Sequence, residues 1–222
     1  MTAPQDPLPP EDSVRDSVFL RSWPAYNRPS SIVTLGHYYP QRQIGETETL
    51  LRESPASYHA AAPINPVAIR RNLGWTTLIN ALNADRRWPV KRLIERLDPM
   101  LEPEIGIAVV PTHLAFQAFW PMRTLARQLA DHERVDATSC LVRHTTIKRI
   151  TFGGPSTRAL HRQTIRLERP ELVAGRRVLL LDDITKSGAS LLACREMLLE
   201  AGAVTVQAMA IGRVIVDGAA QP

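Results

Sequence analysis

The chain has 222 residues, 44% of them hydrophobic and 22% charged, with a net charge of +5 and a pI of about 9.7. That composition is ordinary for a soluble globular protein and allows one large domain, or a domain with an extension. No apolar run reaches the length of a membrane span, and the only cysteines, Cys140 and Cys194, exclude a paired-cysteine zinc ribbon or a disulfide framework.

The first sixteen residues are acidic, with prolines at 4, 7, 9 and 10. They read as a disordered tail and lack the basic start and apolar core of a secretory signal, so a cytoplasmic protein is expected. Residues 17–103 read as an N-terminal, α-rich extension or hood. Within it, Ile32–Leu35 and His37–Tyr39 flank Gly36 as a strand that Pro40 closes. Glu46–Glu53 allows one or two helical turns, and 58–66 reads as a connector. Helical spacing of apolar residues then predicts helices over 75–85 and 90–101. Pro99 and Pro103 mark the border of a core over 104–216, with 217–222 as a tail.

The core alternates strands and helices: a strand over 105–110, a loop over 111–115, a helix over 122–130 and a strand over 137–143. After a basic segment, 144–166, come a second apolar strand, a helix and a last strand over 204–211. The alternation predicts an α/β fold, a mostly parallel sheet with flanking helices.

The most informative stretch is Val178–Ser190, VLLLDDITKSGAS. Val178–Leu181 is an unbroken apolar run, as in a strand buried on both faces. Asp182 and Asp183 follow, then a small hydroxyl-rich loop, Thr185, Lys186, Ser187, Gly188, Ala189 and Ser190, that opens a helix. Backbone N–H groups converging at a helix N-terminus, with hydroxyls and a glycine beside them, make a phosphate cradle. The acid pair suits the vicinal hydroxyls of a ribose or a hydrated Mg²⁺. Phosphate at one end and diol at the other describe a ribose 5-phosphate. An acid pair that merely caps a helix explains one carboxylate but not the hydroxyls and glycine. The order Lys186-Ser187-Gly188 is not that of a P-loop.

These residues resemble the phosphoribosyl pyrophosphate (PRPP) motif of type I phosphoribosyltransferases, and the order of the pieces over about 105–215 is most similar to the competence-associated, amidophosphoribosyltransferase-like branch, without its zinc ribbon. The resemblance implies that fold for the core. It implies a Mg²⁺-dependent transferase of nucleotide metabolism that passes phosphoribosyl from PRPP to a nitrogen acceptor and releases pyrophosphate. Asp182 and Asp183 are then the catalytic pair, holding the ribose and, mostly through water, the metal; residues 185–190 wrap the 5-phosphate. Thr112 and His113 fall where the family's pyrophosphate loop lies, although no lysine or arginine follows before Arg123; the plain alternative for His113 is a satisfied loop histidine. Lys148, Arg158, His161 and Arg162 are lid candidates for the leaving pyrophosphate, against the alternative of a solvated basic hairpin. The expected partners are PRPP and an unidentified nitrogen acceptor; no membrane is expected, nucleic acid is not favoured and a homodimer is allowed. The rival reading is a non-catalytic PRPP-binding regulatory module, or one that acts with nucleic acid.

Overall fold

The computed structural model describes residues 17–20, 22–23, 26–28, 30–39, 66–148 and 156–215. The expected tails, the turns over 46–53, the connector up to 65 and Gly153-Gly154-Pro155 lie outside the described residues. The elements are β1 (Val33–Tyr38), α1 (Pro66–Asn83), α2 (Arg87–Leu97), β2 (Gly106–Val109), α3 (Pro121–Ala130), β3 (Val135–Asp136), β4 (Leu141–Arg143), α4 (Arg158–Thr164), β5 (Ile165–Leu167), β6 (Arg177–Thr185), α5 (Ala189–Glu200) and β7 (Thr205–Val214).

Five strands form one sheet in the order β1-β7-β6-β2-β3, with every pairing parallel. This is the mostly parallel α/β architecture that the alternating pattern predicts. β6 lies at its centre, and Val178 to Leu181 are all fully buried, as an uninterrupted apolar strand requires. Period-two alternation divides the core. Leu179 and Leu181 face Ile79 and Leu82 of α1, Leu93 and Leu97 of α2 and Leu125 and Leu129 of α3. Val178 and Leu180 face Leu191, Cys194 and Leu198 of α5.

The elements differ from the sequence expectation in several places. α1 begins at Pro66 and not at 75, and the far end of the basic segment 144–166 forms α4 and the start of β5. The strand expected over 137–143 is split in two. Asp136 Oδ1 accepts from the Thr138 amide at 2.9 Å and from its hydroxyl at 2.6 Å, a side-chain turn that ends β3. β4 then leaves the sheet and pairs antiparallel with β5. The motif strand does not stop before the acid pair but runs on to Thr185, because β7 offers partners along its whole length, Asp182 opposite Ala210 and Ile184 opposite Gly212. Finally, β1, from the 17–103 stretch, is a strand of the central sheet beside β7. Buried Gln207 of β7 pins the approach to it, accepting from the Arg28 amide at 2.8 Å and donating to the Ser31 carbonyl at 3.1 Å.

α1 crosses the strands instead of following them. Gly36 and Gly212 are paired across β1 and β7, and Gly212 is paired with Ile184 of β6. Trp75 lies over Gly36 and Ile79 over Gly212, while Asn83 reaches Asp183. Residues 75, 79 and 83 share one helical face, so the helix delivers its last turn to the carboxyl end of β6.

Candidate functional site

The carboxyl ends of β2 and β6 lie side by side, with the Val110 amide donating to the Leu181 carbonyl at 2.9 Å. Ligands in an open parallel sheet bind at this end, and most of the predicted site residues meet there.

The acid pair is tethered from both helix layers. Asp182 Oδ2 accepts from Ser190 Oγ of α5 at 3.2 Å, and Asp183 Oδ2 accepts from Asn83 Nδ2 of α1 at 2.9 Å. Burial, and then the like charge of Asp183, hold the Asp182 carboxyl well above the usual carboxylate range. A cation or a set of hydroxyl donors at the pair would relieve that repulsion. Among the described residues no third acidic, histidine or cysteine ligand joins them. Two carboxylates without further protein ligands suit Mg²⁺, which keeps much of its water.

The cradle follows at once. Thr185 is buried, with its hydroxyl unpartnered among the described residues, whereas Lys186 and Ser187 are exposed. Gly188 turns the chain into α5 at φ +79, and an added Cβ would lie 2.5 Å from Ile32 Cδ1, so only glycine suits this position. Gly188 at the N-cap of α5 offers no side chain, and the Ala189 amide donates to Ser187 Oγ at 3.4 Å. The positive end of the helix dipole favours an outside acceptor there. Ala189 and Ser190, expected in the loop, form the first helical turn.

The 111–115 loop is held by the start of the basic segment. The Ala115 amide donates to Thr146 Oγ1 at 2.9 Å, the Phe116 amide to the Arg143 carbonyl at 2.8 Å and the Ile147 amide to the His113 carbonyl at 2.9 Å. Thr112 Oγ1 is bonded to Gln117 Oε1 at 2.7 Å, and its carbonyl accepts from Arg143 Nε. Phe116 has φ +53, a strained backbone for an aromatic residue.

The lid candidates do not act as one group. Arg158 and Arg162 lie on the regular helix α4 and pair with Glu196 at 3.1 Å and Glu200 at 2.8 Å on α5, so protein carboxylates already match part of their charge. His161 is turned inward. Burial, reinforced by the charge of Arg143, pushes its pKa down to about 4, which leaves a neutral ring at physiological pH. Arg143 can only donate, so His161 Nδ1, 3.3 Å away, is the acceptor and the ring proton sits on Nε2, towards Ser156 Oγ at 3.4 Å. His161 therefore brings no charge to a leaving group. Lys148 is exposed just beyond the loop contacts.

Two residues at this end of the sheet escaped the sequence reading. Asn83 closes a helix outside the expected core and carries no motif. Arg143 was signalled only by a charge ending an apolar strand, Cys140-Leu141-Val142-Arg143.

No protein-family profile matches the sequence, and no curated protein matches it. Among solved structures, a purine phosphoribosyltransferase from Pyrococcus horikoshii Ot3 is similar over 68% of this chain and 91% of its own, at 15% identity and a TM-score of 0.29. A hypoxanthine phosphoribosyl transferase of Trypanosoma cruzi is similar over 76% of each chain, at 16% identity and a TM-score of 0.31. Backbones superposed this loosely transfer no residue assignments, and the site stands on its own chemistry.

Proposed function

We propose that the protein binds PRPP with Mg²⁺ and transfers its phosphoribosyl group to a nitrogen acceptor, releasing pyrophosphate. The observation that carries this reading is the continuity of two complementary sites on one strand–turn–helix unit. A strained carboxylate pair lies near the carboxyl end of β6, and within a few residues a helix N-terminus opens behind left-handed Gly188. The first suits a diol and a metal, the second a phosphate, and a ribose 5-phosphate carries both groups.

In this reading Asp182 and Asp183 hold the ribose hydroxyls and hydrated Mg²⁺, and residues 185–190 take the 5-phosphate. Thr112 and His113 face the pyrophosphate. Bound Mg²⁺ supplies charge neutralisation for the leaving group. The chain's own part is to hold the ribose so that C1 stays open to the acceptor and to offset the positive charge that develops there. Calorimetric titration of PRPP tests this. Binding that needs Mg²⁺ and disappears in Asp182→Asn/Asp183→Asn is expected, with pyrophosphate appearing when the right nucleobase or amine is supplied. Wild type that fails to bind PRPP sinks the proposal.

One observation favours a second reading, a PRPP-binding module that acts with nucleic acid and does not catalyse transfer. Beside the site, Phe116 and Phe119 are 64% and 80% exposed. Arg166 lies 5.6 Å from the Phe116 ring, and Arg123 lies 5.5 Å from the Trp120 ring. An exposed ring with an arginine beside it, as at Phe116 and Arg166, suits base stacking. Salt-sensitive binding of a single strand, with PRPP bound but no pyrophosphate released, distinguishes this reading from the first.

A further inference from the structure

We infer that Arg143 is a positioning residue, whose buried guanidinium fixes the Thr112–His113 peptide in one orientation and so sets the grip of the 111–115 loop on a pyrophosphate group. The inference rests on the PRPP reading above and adds to it the cation that this loop lacks in sequence.

Arg143 ends β4 and is 3% exposed. Its guanidinium donates to the Thr112 carbonyl, to Thr164 Oγ1 at 2.7 Å and to His161 Nδ1 at 3.3 Å. All of these acceptors are uncharged, and among the described residues no carboxylate pairs with it. A buried guanidinium with no ion-pair partner is costly to maintain. Burial lowers the Arg143 pKa, and the nearby negative charge of Asp182 opposes that fall; an arginine nevertheless stays protonated. A fixed cation is thus kept beneath the loop and within electrostatic reach of the acid pair.

The geometry gives that cation a specific task. The C=O and N–H of a trans peptide point in opposite directions. With the Thr112 carbonyl drawn in to Arg143, the His113 N–H is turned to the side away from β4. The next carbonyl, of His113, accepts from the Ile147 amide at 2.9 Å. Two successive carbonyls of the loop are therefore each held by a protein donor. Without Arg143 the first peptide is free to rotate and present its carbonyl oxygen, which repels pyrophosphate. The three donor directions of the planar group, spread over α4 and the loop, require a fork that a lysine lacks.

The test compares two ligands in calorimetry with Mg²⁺: pyrophosphate, which needs the loop, and ribose 5-phosphate, which needs only the cradle and the acid pair. Arg143→Met is expected to weaken pyrophosphate by about tenfold or more while ribose 5-phosphate stays within about twofold. Arg143→Lys is expected to lose nearly as much. If Arg143→Met fails to fold, Thr164→Val keeps the charge, removes one acceptor of the same guanidinium, and should weaken pyrophosphate alone. Parallel loss of both ligands, no loss of either, or full recovery by lysine overturns the inference. Wild type that binds ribose 5-phosphate but not pyrophosphate also overturns it, leaving the cradle intact; wild type that binds neither overturns the underlying function.

Discussion

Ionising Asp182 is disfavoured in the folded protein, because burial and the neighbouring Asp183 both oppose its charged form. Its folded pKa therefore lies above its unfolded value. At neutral pH the group is charged in the unfolded chain, and the penalty of charging it in the fold is in force. As pH falls, the folded carboxyl takes up its proton first and the penalty fades, to vanish below the unfolded value of about 3.9. Asp182→Asn should accordingly raise the melting temperature at pH 7, by about 2–4 °C for each ~1 kcal/mol relieved, while removing PRPP binding. Differential scanning fluorimetry from pH 7 to pH 4 measures this. An unchanged or lower melting temperature at pH 7 would mean that the acid pair is not strained. The acid pair and Gly188 were legible in the sequence because strand, acids and turn residues are contiguous. Asn83 and Arg143 were not, since each reaches the site by long-range packing that no local pattern records.

Helix α1 can lie across the sheet only where the strands present no side chains beneath it. Gly36 and Gly212, paired in adjacent strands, leave that space. A Cβ on Gly36 would lie 2.1 Å from Trp75 Cδ1, and one on Gly212 would lie 2.5 Å from Ile79 Cδ1. Gly36→Ala is therefore expected to destabilise the protein by about 1–3 kcal/mol, as overpacked sites do. It should also loosen the site, because α1 carries Asn83. Chemical denaturation and PRPP titration of the variant check the two effects together; full stability would show that α1 is not seated on this row. At this scale the main elements were legible from periodicity alone. The break between β3 and β4 was not, because a single side-chain turn at Asp136 decides it and the partner of β4 lies at the far end of the basic segment.

The apolar layer formed by α1, α2 and α3 covers one whole face of β6 and β7. A fragment spanning only 104–216 would expose the part of that face under α1 and α2 and leave the outer edge of β7 unpaired. Such a fragment is expected to aggregate or to melt without cooperativity; a sharp, reversible melt would instead establish 104–216 as an independent domain. The division at Pro103 followed the helix-ending prolines Pro99 and Pro103, whereas the sheet recruits β1 from far upstream, a long-range pairing that local breakers do not reveal. That recruitment orders events in time. β1 leaves the ribosome well over a hundred residues before its hydrogen-bonding partner, β7, so over that stretch of synthesis the nascent chain displays a strand edge with nothing to close it. Ile32, which packs on Gly188, likewise waits for the turn it supports. Translation speed and chaperone supply should thus govern the yield of native protein more strongly than its final stability does.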